Sequence, residues 1–355
     1  MSLSPKYKYT VEHKGKIANT NNYMNLTSDE CEQIRTEYYK KPNIALVKRE
    51  LHEIYTGRTT DIPLITKYYL KDLMAKVRIH HSKWSIEECL ENDDIIRFLM
   101  GKTIGNKDIY SDRDDLITKF ETVLRLGSKG ITAKPSNFPI KECKRILKEY
   151  NVNDNYYDFS CGWSARMLSS MSTGLNYFGT DPNYLLTERI NEMYDILKDM
   201  FPTLPTSDIR TQGSQVFVPE WENKIGLAFS SPPYFMLEDY RVGEQSCNED
   251  TNYQDWLDGY LTGTLTNIHK YLIFEGNLLV NIKGYKNFDL VCDTIKTAES
   301  VGFEYKGTTS LSNISRPLSK SRKGELLDTD EDVMLFRKIG SGDFKPKKQS
   351  NIYDW

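Results

Sequence analysis

The chain is poor in the features that most often announce a function. No stretch approaches the roughly 18 apolar residues that cross a bilayer, and the opening MSLSPKYKYTVEHKGK is polar, with no apolar core of the signal-peptide kind. Its six cysteines, at positions 31, 89, 143, 161, 247 and 292, make no CxxC pair. That argues against a zinc site or a disulfide framework and fits a reducing cytoplasm. Neither sign of charge dominates: 47 Lys and Arg against 50 Asp and Glu leave a net charge of −3. Any nucleic-acid partner must then be held by local patches, not by a global field. There is no GxGxxG run and no internal repeat. The expectation is a cytoplasmic protein with no metal centre.

What is present reads as two styles of chain. The 355 residues, 39% hydrophobic and 27% charged, are enough for one large domain or two ordinary ones. Residues 1–22 are polar and rich in Lys and Asn. From Thr27 onward the pattern is helical. Thr27-Ser28-Asp29-Glu30 and Ser85-Ile86-Glu87-Glu88 both match a capping box, in which a hydroxyl and a carboxylate satisfy the free amides of a first turn. Residues 1–127 are therefore read as a mainly helical region, a candidate for DNA recognition or an accessory role. Beyond the loop at Gly127, Gly130 and Pro135, strands and helices alternate. Helices are expected at 140–150, 165–171, 184–200, 256–271 and 290–301. Strands are expected at 156–159, 177–181, 225–229, 276–282 and 331–337, with 215–218 as an edge strand or a loop. Such alternation predicts a doubly wound α/β sheet over 128–340, followed by a tail at 341–355.

Three loops carry the chemistry. Asp158-Phe159-Ser160-Cys161-Gly162-Trp163-Ser164 lies at the carboxyl end of a strand and opens a helix, where open α/β sheets bind ligands. Its small residues allow close backbone approach, though a plain tight turn explains them equally well. Asp181 sits past the next strand, at the spacing where dinucleotide folds place an acid on ribose hydroxyls. A helix cap before Pro182 is the alternative role, and the two are compatible. The third loop, Phe229-Ser230-Ser231-Pro232-Pro233-Tyr234-Phe235, stops an apolar strand on two prolines. Ser231 offers a hydroxyl, the Pro232 carbonyl is released from sheet pairing, and Tyr234 offers a ring face. Two acceptors side by side suit the two hydrogens of an exocyclic amine, and holding both favours a pyramidal nitrogen with a free lone pair.

These loops resemble those of the S-adenosylmethionine-dependent DNA amino-methyltransferases. Ser231-Pro232-Pro233-Tyr234 matches the family's catalytic (D/N/S)-P-P-(Y/F/W). Asp158 to Ser164 is similar to its D-P-F-x-G-x-G cofactor loop, with Phe159, Ser160 and Ser164 replacing Pro, Phe and the last Gly. Lys134-Pro135-Ser136-Asn137-Phe138-Pro139 and the helix behind it resemble the flanking cofactor segment, and 331–338 resembles the closing strand. The resemblance covers about 130–340. It implies a Rossmann-like class I methyltransferase fold with a mostly parallel seven-stranded sheet, and S-adenosylmethionine as cofactor. The cofactor residues carried over are Asn137, Phe138, Asp158, Phe159, Ser160, Cys161, Gly162, Ser164 and Asp181. Ser231, Pro232, Pro233 and Tyr234 are the catalytic set. The partner implied is double-stranded DNA, with the target base flipped onto Tyr234. Serine in first place leans toward N4 of cytosine over N6 of adenine, and the absence of a Pro-Cys nucleophile argues against methylation at C5.

Phosphates are expected to be gripped by Arg316, Lys320, Arg322 and Lys323, which crowd one serine-rich loop. Arg241, in the polar segment after the catalytic motif, is a candidate base reader. A second basic run holds Lys71, Lys76, Arg78, His80, His81 and Lys83, for which an ordinary solvated face is the plainer reading. Two rivals stand beside this reading. One is an RNA or other amine methyltransferase on the same fold. The other is a catalytically silent nucleic-acid-binding module.

Overall fold

Ile225–Ser230 is an apolar run without alternation, and every residue in it is buried. That is the signature of a strand covered by helices on both faces. It lies at the middle of a seven-stranded sheet. We number its strands in chain order: β1 Asn155–Asp158, β2 Asn176–Asp181, β3 Ser207–Thr211, β4 Ile225–Ser230, β5 Leu272–Asn281, β6 Phe303–Ser310 and β7 Asp332–Lys338. The spatial order is β3-β2-β1-β4-β5-β7-β6. The pairs from β3 to β5 are parallel, and β7 runs antiparallel to both of its neighbours. This is the doubly wound, mostly parallel, Rossmann-like sheet expected from the sequence. The computed structural model describes residues 12–13, 16–17, 25–57, 63–79, 82–101, 115–126, 130–235, 238–241, 245–246, 252–282, 288–311 and 332–339.

Sequence order reverses direction at β1: the chain steps outward through β2 and β3, then returns to place β4 on the other side of β1. In open α/β sheets ligands bind where successive connections diverge, which here is at the carboxyl ends of β1 and β4. The β1 turn and the double proline both emerge there.

Four tyrosines, Tyr156, Tyr157, Tyr177 and Tyr271, are fully buried in this unit. A buried phenol needs a partner for its hydroxyl, and each has one. Tyr156 donates to the Phe229 carbonyl (2.8 Å), Tyr157 pairs with Thr180 Oγ1 (2.9 Å), Tyr177 donates to Asp158 (3.0 Å), and Tyr271 accepts from the Val218 amide (2.7 Å). The rings of Tyr157, Trp221 and Tyr271 pack edge to face beneath the sheet.

Contacts divide the chain into two units, and not at a single cut. The larger holds residues 42–70, 137–237 and 242–355; the smaller holds 1–41, 71–136 and 238–241. The helix Ile44–Thr56 belongs with the sheet although it reads as part of the amino-terminal helical run. Val47, Leu51 and Ile54 are buried, and the Ile54 carbonyl accepts from Lys144 Nζ at 2.7 Å. The smaller unit packs the helices Ser28–Tyr39, Ile86–Leu90, Asp93–Met100 and Leu116–Leu126 around Ile34, Tyr38, Cys89, Leu99 and Phe120. Both capping boxes form as the sequence predicts, at Thr27 with Glu30 and at Ser85 with Glu88.

Residues 215–218 take the loop form, one of the two expected for them. Other elements differ from expectation. Ser207–Thr211 and Phe303–Ser310 are strands that the pattern did not single out, because the first is a polar edge strand and the second carries Glu304 and Lys306 on its open face. The helix expected from Trp256 begins at Tyr253 and carries a π-helical turn at Trp256–Leu261. Among the described residues no helix is long and apolar enough to cross a membrane.

One residue tests the packing of β4. A methyl group on Gly226 would lie 2.4 Å from Asn153 Oδ1 and 2.7 Å from the Asn153 backbone nitrogen. Because that neighbour is backbone, Gly226→Ala is expected to cost about 1–3 kcal/mol, seen as a lower midpoint of urea unfolding.

Candidate active site

The turn after β1 is organised by one carboxylate. Asp158 is wholly buried, and a buried charge requires compensation. Its Oδ2 accepts from Arg166 Nε at 2.9 Å and from the Tyr177 hydroxyl at 3.0 Å. Its Oδ1 accepts from Ser230 Oγ at 2.8 Å and from the Ser160 amide at 3.4 Å. Arg166 lies in the helix Ala165–Thr173 and also donates to the Ser160 carbonyl. Strands β1, β2 and β4, the turn and its helix thus meet at one side chain, and the lone pairs of Asp158 are taken up by protein donors.

The turn itself is left-handed at two points, Gly162 (φ 56°) and Ser164 (φ 72°). Glycine reaches this region freely, whereas for a non-glycine residue it costs about 1–2 kcal/mol. Ser164 replaces the last glycine of the resembled pattern, and it is fully buried with its Oγ 3.1 Å from Thr66 Oγ1. Thr66 also donates to the Trp163 carbonyl at 3.4 Å, and Asn137 Nδ2 donates to the same carbonyl at 3.1 Å. Phe138 packs edge-on against Phe229, centroids 5.2 Å apart. Asn137 and Phe138 are therefore braced against the turn and β4. Cys161 is buried at the foot of the turn, its amide paired to the Thr180 carbonyl (3.1 Å). Burial, with Asp158 and Asp181 adding to it, pushes its thiol far above the ordinary range. That leaves a packed sulfur and no nucleophile.

Asp181 ends β2 and is partly open. It accepts from the Asn183 amide (3.0 Å) and from the Gly162 amide (3.5 Å), while the cap of the next helix is Asn183 itself, whose side chain accepts from the Leu186 amide. Burial pushes its carboxyl up to about 6, with Asp158 adding, against those two amides and Arg166. In the folded chain its ionisation is therefore disfavoured. Its contribution to stability is full below the ordinary value near 3.8 and is lost as pH rises through about 6.

Beyond β4 the two serines separate. Ser230 is buried and points at Asp158; it also lies 3.2 Å from the Ser160 carbonyl. Ser231 is partly exposed, and its Oγ accepts from Asn281 Nδ2 at 3.0 Å. Pro232 is buried, while Pro233 and Tyr234 are half-buried. The Tyr234 hydroxyl donates to the Asn281 carbonyl at 3.2 Å. Behind it Phe235 packs with Tyr253, Trp256 and Phe288.

The larger unit thus contains Asn137, Phe138, the Asp158–Ser164 turn, Asp181 and Ser231 to Tyr234. Arg241 belongs to the smaller unit, where its guanidinium pairs with Glu88 (2.8 Å) and Asp239 (3.0 Å). Lys71 is also engaged, 2.6 Å from Glu121 and above the ring of Tyr38. Arg316, Lys320, Arg322, Lys323, His80 and His81 lie outside the described residues. Sequence reasoning missed Arg166, Tyr177, Ser230, Asn281 and Thr66. Two left a trace: an arginine in the otherwise uncharged run Ala165–Thr173, and an asparagine interrupting Leu278-Leu279-Val280-Asn281-Ile282.

No family model and no curated protein matches the chain. Among solved structures it is similar to a TehB-like SAM-dependent methyltransferase from Corynebacterium glutamicum, at 16% identity over 56% of this chain and 87% of that one, TM-score 0.36. It is also similar to 1,6-didemethyltoxoflavin-N1-methyltransferase from Burkholderia thailandensis, at 11% identity over 57% and 78%, TM-score 0.36. Magnesium protoporphyrin IX methyltransferase from Synechocystis gives 10% identity over 56% and 77%, TM-score 0.35. Likenesses this loose settle neither substrate nor activity.

The Asp158 network makes a stability prediction. Asp158→Ala strands the buried Arg166 charge and is expected to cost about 3–5 kcal/mol. Adding Arg166→Met should recover a large part of that loss in urea unfolding. No recovery would mean that the unpaired charge is not what the single variant suffers from.

Proposed function

We propose that this chain moves a methyl group from S-adenosylmethionine to the exocyclic amine of a base flipped out of duplex DNA, N4 of cytosine in preference to N6 of adenine. The observation that carries the reading is the pairing of Ser231 and Tyr234 through Asn281, at the end of the strand whose last residue, Ser230, bonds to the Asp158 turn. A hydroxyl and a ring are thereby fixed at the switch point of the sheet.

The residues present fit the cofactor. Gly162 leaves the backbone bare where a Cβ would come within 3.3 Å of Arg166 Nη2. The partly open Asp181 carboxylate is an acceptor of the kind that ribose hydroxyls require. Asp158 would act through the shape of the turn, since its own oxygens are occupied. When bound, S-adenosylmethionine supplies an electrophilic methyl group on a sulfonium.

The chain's own part is positioning. Ser231 Oγ and the Pro232 carbonyl accept the two amine hydrogens, which favours a pyramidal nitrogen. The face of Tyr234 supports the base. The nitrogen lone pair forms the new N–C bond as the S–C bond breaks, with that bonding pair going to sulfur. The nitrogen is then positively charged and strongly acidic, and its surplus proton leaves to water. The preference for cytosine rests on serine at position 231.

Two experiments check this. Unmethylated genomic DNA incubated with labelled S-adenosylmethionine should yield N4-methylcytosine on nucleoside mass spectrometry. N6-methyladenine alone would overturn the preference, and no methylated base would overturn the DNA reading. Ser231→Ala with Tyr234→Ala should slow transfer by at least about 100-fold and leave cofactor affinity within about twofold.

Cofactor binding should also follow the Asp181 titration. The charged form is the better acceptor, so calorimetric affinity should rise with pH through about 6 and level off above it. Asp181→Asn should flatten that profile.

A further inference from the structure

Asn281 is the last residue of β5, 5% exposed, and it interrupts a run of buried aliphatic side chains. A buried amide costs free energy unless its hydrogen bonds are made, and valine or isoleucine would suit the strand better. Its side-chain contact is with Ser231: Nδ2 donates to Oγ at 3.0 Å. The parallel register sets this up, since Ser230 pairs with Val280 and the next residue on each strand is Ser231 and Asn281. The backbone carbonyl of Asn281 also holds the Tyr234 hydroxyl at 3.2 Å.

We propose that Asn281 is the positioning residue of the Ser231-Pro232-Pro233-Tyr234 loop, fixing the serine hydroxyl as an acceptor for the substrate amine. This rests on the methyl-transfer reading above. A serine oxygen has two lone pairs and one proton. The Asn281 N–H takes one lone pair, and because Nδ2 cannot accept, the serine proton is kept off it. Oγ loses its freedom to rotate, and its second lone pair points in one direction. The tyrosine ring is fixed by the same residue through its main chain, so the two groups that meet the base share one anchor. Asn281 touches neither the amine nor the methyl donor; it acts through Ser231.

The side chain and the main chain of this anchor can be tested separately. Asn281→Val removes the amide and keeps the strand, with the carbonyl still present for Tyr234. We expect the urea midpoint to be unchanged or higher and cofactor affinity to stay within about twofold. With unmethylated genomic DNA and labelled S-adenosylmethionine at saturation, the transfer rate should fall about 10- to 100-fold, the KM for DNA changing little. In a Ser231→Ala background the same substitution should cost less than about twofold, because the group it positions has gone. Tyr234→Phe should add its own loss to that of Asn281→Val, since the ring is held through the carbonyl. Equal losses in both backgrounds, or no loss in the wild-type background, would overturn the assignment while leaving the function intact. A wild-type chain that binds S-adenosylmethionine yet methylates no DNA would remove the functional reading and this inference with it.

Discussion

A carboxylate sealed away from water is the constraint from which this site is built. Asp158 is inaccessible to solvent, and four donors from β2, β4, the turn and its helix converge on it. A buried charge with one donor missing is costly, so these segments are held to one mutual arrangement. The Ser160 carbonyl is drawn in as well, by Arg166 and by Ser230. Asp158, which reads in the sequence as a ligand-binding acid, is in the folded chain an internal support that gives the turn its shape. Asp181, one strand over, has the complementary part. It is partly open, is contacted by two backbone amides, and burial pushes its carboxyl up to about 6. Two acids about twenty residues apart thus differ in environment, one closed within the turn and the other partly open.

The turn between them stores strain in a specific place. Ser164 adopts a left-handed conformation where the resembled family has glycine, and its hydroxyl is held by Thr66. The cost of the conformation and the gain of a buried hydrogen bond are each about 1 kcal/mol, so the substitution is close to neutral only while Thr66 is in reach. The departure from the glycine pattern and the presence of a threonine about a hundred residues earlier are therefore one feature. This also gives a reason for the helical segment 64–70 to cluster with the sheet, as the helix Ile44–Thr56 does.

Much of this was legible before any coordinates. Alternation of apolar strands with amphipathic helices gave the sheet, and both capping boxes formed as written. The double proline marked the end of β4 because proline cannot continue a central strand. What escaped was of two kinds. β3 and β6 carry charged residues on open faces and do not look like buried strands, though Phe303 and Tyr305 alternate with Glu304 and Lys306. Of the supporting residues, Arg166 lies only eight positions from Asp158, whereas Ser230 and Asn281 escaped because each is defined by a partner distant in sequence. Ser230 reaches Asp158 across 72 positions, and Asn281 reaches Ser231 across 50. Local pattern cannot encode such pairs; only the strand register brings them together. Arg241 shows the converse. Its position after the catalytic motif suggested a base reader, whereas its guanidinium is engaged by Glu88 and Asp239.

The doubled serine explains why the motif is built as it is. Along extended backbone, successive side chains point to opposite sides. Ser230 therefore turns inward to the Asp158 network while Ser231 turns toward Asn281. One serine ties β4 to the turn, and the next presents its hydroxyl to Asn281. Two prolines then follow, neither with an amide to offer the sheet, so the chain leaves the ladder immediately after the second serine. Were the strand to slip by one residue, one serine would take the other's place and Phe229 or Pro232 would take the place left, so either the network would lose its donor or the crevice its hydroxyl. The internal support and the reactive group are thus set by a single register, the pairing of Ser230 with Val280.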